Sequence, residues 1–194
     1  NSENPVICVP SGNFGNICAG ILAHHRGLPV EHFIAACNVN DVVPEYLRTE
    51  ILQPKETVAT ISNAMDVGDP SNFVRILELF EKEFNQVKNK LSGYTIDDEE
   101  TLKTIERVEK DYGYVLDPHG AVAFVALEKY LTENDGKGFF LETAHPVKFP
   151  DSVEQATGKS VEIPKSLEEL MKQEKFTTEI NPQYEELKEF LLKK

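Results

Sequence analysis

The chain has little cysteine: Cys8, Cys18 and Cys37 among 194 residues, an odd total with no CxxC pair. That excludes a disulfide framework and a cysteine metal site, and it reads as buried thiols in a reducing, cytoplasmic setting. Positive charge is scarce too. Twenty Lys and Arg against 33 Asp and Glu leave a formal net charge of −13, which argues against nucleic acid or an anionic membrane as partner and favours a small-molecule ligand. No apolar run approaches the ~18–20 residues that cross a bilayer, since the best candidate, Gly120–Leu127, is less than half that. The opening NSENPVICV has no basic region ahead of an apolar one, so it is not a signal-peptide pattern. It enters an apolar strand almost at once, as expected if more chain precedes it in a longer protein. Internal repeats and low-complexity stretches are absent.

What is present centres on Val6–Gly27, reading VICVPSGNFGNICAGILAHHRG. An apolar strand, Val6 to Val9, is followed by the tight loop Ser11-Gly12-Asn13-Phe14-Gly15-Asn16 and then by a helical pattern in Ile17, Ile21 and Leu22. Glycine lets the backbone turn without Cβ clashes, and the first helical turn aims unpaired N–H groups into the loop. A phosphate fits such a place. The loop has no Walker A lysine and lacks the third glycine and the spacing of a dinucleotide fingerprint. A single phosphoryl group held mainly by backbone amides is the chemistry that is left, the alternative being a purely structural strand-to-helix turn.

Further along, His24, His25 and Arg26 suit the end of the first helix, with Gly27 just past it. Phe33–Asn38 is an unbroken apolar strand of the kind buried parallel sheets use. Strand, helix and strand within about thirty residues make a βαβ unit and hence an α/β fold. Asp41 can cap a short helix through Arg48, and Val58–Ile61 is expected to be a short strand. Asp69 with Pro70 is expected to open one long helix with apolar residues Phe73, Ile76, Leu77, Phe80, Phe84, Val87 and Leu91, ended by Gly93. Acidic Asp97–Glu100, which has no metal-ligand pattern, starts a second amphipathic helix closed by Gly113, and Asp117-Pro118 starts a third that is apolar nearly all round. Gly138–Glu142 is the next strand, with Thr143-Ala-His-Pro-Val-Lys-Phe149 at its carboxyl end, where α/β folds place ligands. Beyond Pro150 follow a helical piece before Gly158, a capping box at Ser166–Glu169 and a last helix opened by Asn181-Pro182.

The combination PSGNFGN at Pro10–Asn16, SNAMDVGDPSNFVR at Ser62–Arg75, DPHGAVA at Asp117–Ala123 and ETAHPVKF at Glu142–Phe149 closely resembles the carboxy-terminal half of the threonine synthase family. The four matches occur in the family's order. The resemblance implies a pyridoxal 5′-phosphate enzyme of the tryptophan-synthase-β-like fold (fold type II), in which a mainly parallel sheet is flanked by helices in three layers. It implies conversion of O-phospho-L-homoserine and water to L-threonine and phosphate. The cofactor phosphate is expected on Ser11, Gly12, Asn13, Phe14, Gly15 and Asn16, and the pyridine nitrogen on Thr143. Residues 1–150 are expected to form the cofactor-phosphate domain, with 151–194 as a helical extension packing on it.

One departure stands out. The family holds its cofactor through a Schiff-base lysine ahead of the phosphate loop, whereas the first lysine here is Lys55. The chain is therefore expected to be a fragment, inactive alone, whose partner is the missing amino-terminal half of the same protein. Two other readings share the loop: a fold type II lyase or dehydratase acting on serine or threonine, and, for the isolated fragment, a non-catalytic module binding a phosphorylated ligand. His119 and His145 are candidate acid–base groups, each balanced against an ordinary packed histidine. Met65 reads as pocket wall or core filler, and no role falls to the polar cluster Asn63, Asp66, Asp69, Ser71 and Asn72.

Overall fold

The run at the start of the chain becomes strand β1 (Val6–Pro10), flanked in one parallel sheet by β2 (His32–Cys37) and β4 (Gly138–Phe140), with β3 (Leu91–Thr95) on the far side of β2. The computed structural model describes residues 4–174 and 176–193. All three strand pairings are parallel, so the sheet has to be covered on both faces. The covering helices of the first unit, Asn1–Val161, are α1 (Gly15–His25), α2 (Val42–Thr49), α3 (Phe73–Leu79), α4 (Phe84–Lys90), α5 (Asp98–Tyr112), α6 (Pro118–Glu133) and α7 (Pro150–Thr157). A second unit, Glu162–Lys194, contains α8 (Lys165–Met171) and α9 (Tyr184–Leu192).

Strand alternation decides which core each residue enters. Val9, Phe33, Ala35, Cys37 and Leu91 face one side and pack with Ile17 and Ile21 of α1, Val43 and Leu47 of α2, and Phe73 and Ile76 of α3. Val6, Cys8, Ile34 and Ala36 face the other side and pack on Val122, Ala123 and Ala126 of α6. Behind α6, its Ala121 joins Ile105 and Val108 of α5 in a third cluster, with Ala156 of α7 packed against it. The result is the expected three-layer arrangement.

Several local expectations are met. Gly27 (φ 108°) and Gly113 (φ 67°) take the left-handed conformation just past α1 and α5. The Asp97 carboxylate accepts the Glu100 N–H, and the Asp117 carboxylate accepts the His119 N–H, both at 2.8 Å, so both caps are real.

Others are corrected. Val58–Ile61 is not a strand: the segment is irregular, its backbone tied to side chains, with Val58 N–H donating to Asn40 and Thr60 N–H to Asp66. The single long helix is two. After Phe80 the chain passes through Glu81 and Lys82, both with positive φ, before α4 begins. Gly93 ends no helix but lies inside β3, a strand the helical pattern had concealed. The first of the two helices starts at Phe73, later than Asp69-Pro70 suggests, because Pro70–Phe73 closes a separate turn first. Asp41 precedes α2 without a capping bond, its carboxylate being taken by Lys55 and Thr95. The Ser166 capping box is absent, as α8 already begins at Lys165 after Pro164.

Candidate functional site

The candidate residues follow the carboxyl ends of two neighbouring parallel strands: Cys8 pairs with Phe140, Ser11 comes directly after β1, and Thr143 lies three residues beyond the end of β4. Ser11 is fixed from several directions: its N–H donates to Ala36 O (2.8 Å), its hydroxyl to Val9 O (2.8 Å), and its carbonyl accepts from the Cys37 thiol (3.3 Å). The Ser11 side chain is therefore occupied and buried.

Gly12 is a packing requirement. A Cβ there would stand 2.5 Å from Met65 Cα and 3.0 Å from Ala64 O, so the turn Asn63–Met65 closes over the loop only because position 12 has no side chain. Phe14 takes the left-handed conformation (φ 62°, ψ 17°) at the head of α1, a state that costs a non-glycine residue about 1–2 kcal/mol. Burial of its ring edge-on to Phe73, at 5.6 Å, offsets that cost.

Cys18 N–H, bonded to Phe14 O, makes the first i→i−4 bond of α1, which leaves the N–H groups of Gly15, Asn16 and Ile17 without helical partners. No acidic residue occupies this first turn. Exposed Asn13, Gly15 and Asn16 thus line an open, positively polarised rim. Ser71 donates to Asn13 Oδ1 (3.0 Å), and Arg75 donates to Asn72 Oδ1 (2.9 Å), which adds a guanidinium to the same rim. Beyond the end of β4, Thr143 is exposed and its hydroxyl makes no hydrogen bond among the described residues.

Asp66, one of the polar residues that sequence reasoning left without a role, has one. Asn38 and Asn40, both buried, converge on Asp66: Oδ1 accepts from Asn38 Nδ2 (2.8 Å), Asn40 Nδ2 (3.3 Å) and Thr60 Oγ1 (2.7 Å), and Oδ2 accepts from Thr60 N–H (2.9 Å). Every oxygen of this carboxylate is satisfied. The network holds the 58–66 segment over the carboxyl end of β2, and with it the turn that covers Gly12. The sequence signal was the Asn-x-Asn pair directly after an apolar strand.

His119 braces the same turn from below. Its Nδ1 lies 2.6 Å from Asp117 Oδ1, and its Nε2 accepts the Ala64 N–H at 3.2 Å, so Nδ1 carries the proton and the ring is neutral. It is buried, a packed residue as the bland reading allowed. His145 accepts the Val147 N–H through Nδ1 (3.1 Å), capping the 3₁₀ turn Pro146–Lys148.

Glu142, one residue before Thr143, was missed as a site element. Burial, and then its hydrogen bond and charge contact with Asp117, push its carboxyl up to about 8. Burial alone would raise Asp117 too, but hydrogen bonds from His119 and Glu142 outweigh it and hold Asp117 below its ordinary value.

Open backbone N–H groups at the head of the helix after β1, with an exposed hydroxyl just beyond the neighbouring strand, lie at the carboxyl end of a parallel sheet, where α/β folds place ligands. Residues 2–139 match the family of pyridoxal-phosphate-dependent enzymes, and the chain belongs to it. Within that family the likeness is to threonine synthase: residues 120–191 match its carboxy-terminal domain. The threonine synthase of Buchnera aphidicola subsp. Schizaphis graminum is 45% identical over 194 residues, covering 99% of this chain and 44% of that protein. The crystal structure of threonine synthase from Escherichia coli superposes with a TM-score of 0.87 at 44% identity, covering 97% of this chain and 44% of that one. A PLP-bound threonine synthase from Brucella melitensis superposes at 0.83 with 30% identity, covering 97% of this chain and 46% of that one. The chain thus spans less than half the length of these relatives.

Proposed function

We propose that the chain is the cofactor-anchoring portion of a threonine synthase, which converts O-phospho-L-homoserine and water to L-threonine and phosphate. The observation that carries this is the open amide rim at the head of α1, with no acidic residue in its first turn, together with an exposed Thr143 hydroxyl just beyond the neighbouring strand β4 that makes no hydrogen bond among the described residues. Pyridoxal 5′-phosphate, when bound, supplies an electron sink for reaction at the substrate's amino-acid carbons. The chain's own atoms fit it. The amides of Gly15, Asn16 and Ile17 take the phosphate without a competing carboxylate, and the missing Cβ of Gly12 lets the covering turn close. Thr143 offers the pyridine nitrogen a neutral hydroxyl, which leaves that nitrogen largely unprotonated and moderates the sink.

Lys55 is a poor candidate for the covalent hold on the cofactor. Its ammonium is bound by Asp41 (2.7 Å) and Glu45, contacts that raise its pKa and keep the amine protonated and non-nucleophilic. The family's lysine, and the domain that closes over substrate, belong in this reading to the part of the relatives that the chain does not span. Three free cysteines support a reducing, cytoplasmic location.

The test uses the full-length parent. With O-phospho-L-homoserine it is expected to release threonine and phosphate, and Thr143→Val is expected to weaken cofactor affinity roughly fivefold to tenfold, the worth of one hydrogen bond. Dehydration of serine with no threonine from phosphohomoserine would instead establish the dehydratase reading.

A further inference from the structure

Asp117 and Glu142 are two carboxyls placed together beneath the proposed cofactor site, and neither meets a lysine or arginine at ion-pair distance among the described residues. Asp117 Oδ1 is saturated by the N–H and ring Nδ1–H of His119. Glu142 Oε1 accepts the Asp117 N–H at 3.3 Å, and the two oxygens left, Asp117 Oδ2 and Glu142 Oε2, are both buried with no donor among the described residues. Two anions so placed would leave both atoms unsatisfied and repelling. One proton on Glu142, donated to Asp117, supplies the missing hydrogen bond. Asp117 is the member that stays ionised, because it caps α6 and accepts from His119.

The site is shaped for this arrangement. A Cβ on Gly120 would collide with the Glu142 carboxyl, so the glycine in the first turn of α6 is what admits that side chain. Tyr114, ahead of α6, is the other titratable group that feels both carboxyls, and Phe149 packs on the His119 ring at 4.7 Å.

We propose that Glu142, Asp117 and His119 form a continuous brace in which Glu142 keeps its proton at neutral pH, and that this brace positions Thr143 and the Asn63–Met65 turn around the cofactor. Its direction is set by the donors: Glu142 to Asp117, His119 Nδ1–H to Asp117, and Ala64 N–H to His119 Nε2. One end therefore fixes the residue next to Thr143 and the other fixes the backbone lying against Gly12. These are positioning residues. The inference rests on the cofactor reading above for what is positioned, but the proton can be observed without it.

The infrared spectrum of the full-length parent at neutral pH, taken as a difference against its Glu142→Gln variant and needing no cofactor, is expected to show one protonated-carboxyl C=O stretch that the substitution removes. The Gln amide still donates to Asp117, so that variant should keep cofactor affinity within about twofold, whereas Glu142→Ala should lose roughly tenfold, one hydrogen bond's worth. A missing band, a band that survives Glu142→Gln, or Gln weakening cofactor as much as Ala would each overturn the proposal. If Glu142→Ala does not fold, the band and the Gln affinity decide it. Failure of the cofactor reading shows separately, as a parent chain that takes up no pyridoxal phosphate while the band is present.

Discussion

His32 stacks on Tyr130 with 5.0 Å between ring centroids, and its Nε2 shares a 2.8 Å hydrogen bond with Ser92 Oγ. Burial, with Lys90 nearby, lowers its pKa from 6.5 to about 4. Between those values the unfolded chain binds a proton that the folded chain refuses, so His32 makes stability fall as pH drops from 6.5 towards 4. Glu142 acts in the opposite sense. Its folded value lies above the ordinary 4.5, so its contribution is full below 4.5 and is lost as pH rises to about 8. The two slopes oppose each other between 4.5 and 6.5, and only the Glu142 slope remains above. Thermal midpoints of the parent should therefore stay nearly level between pH 4.5 and 6.5 and decline above; Glu142→Gln should abolish the alkaline decline and uncover the His32 limb below 6.5, whereas His32→Gln should extend the decline down to 4.5. Gly12 answers a different residue-level question. Gly12→Val places side-chain atoms where Met65 and Ala64 backbone lies, and cofactor titration should show at least a tenfold loss, while a change under twofold would mean that the turn yields without disturbing the rim.

At the level of elements, the break between α3 and α4 is where the residue pattern and the path of the chain part company. Phe73, Ile76, Phe80, Val87 and Leu91 all enter one core, with Leu77 and Phe84 packed against it, as their helical spacing implies. The same spacing does not reveal that Glu81 and Lys82 turn left-handed, because neither is a glycine or asparagine that would announce it. Nor does it reveal β3, whose single buried Leu91 and central Gly93 look like a helix end. Gly93 is there because Pro44 Cα of α2 would lie 2.9 Å from a Cβ, a long-range contact that no local reading contains. Caps that act through their own side chains, Asp97 and Asp117, were by contrast fully legible. If the turn carries strain, Lys82→Gly should relieve it. The expected gain is about 0.5–1 kcal/mol in chemical denaturation of the parent, since the lost Glu78 ion pair is exposed and weak. A loss of stability would show that Lys82 is held there by something other than backbone geometry.

For the molecule as a whole, the sequence motifs located local elements better than they explained their surroundings. The turn at Ser11–Asn16 leading from β1 into α1, and the strand ahead of Thr143, were legible because glycine-rich turns and apolar runs carry local signals. Glu142 and the Asn38–Asp66 network were not, since their meaning lies in what the fold sets beside them. The proposed division of labour follows from the same geometry. In that proposal this chain offers the open N–H groups at the head of α1 and the exposed hydroxyl of Thr143, while Lys55 is held protonated between two carboxylates. Chain 1–194 alone, given pyridoxal phosphate and O-phospho-L-homoserine, is therefore expected to form no threonine, and borohydride is expected to fix no cofactor to any of its lysines. The full-length parent should do both, with the label on a lysine outside this chain. A borohydride-fixed label on Lys55, accompanied by turnover, would overturn that division, because an amine paired with Asp41 and Glu45 would then have to be released to act.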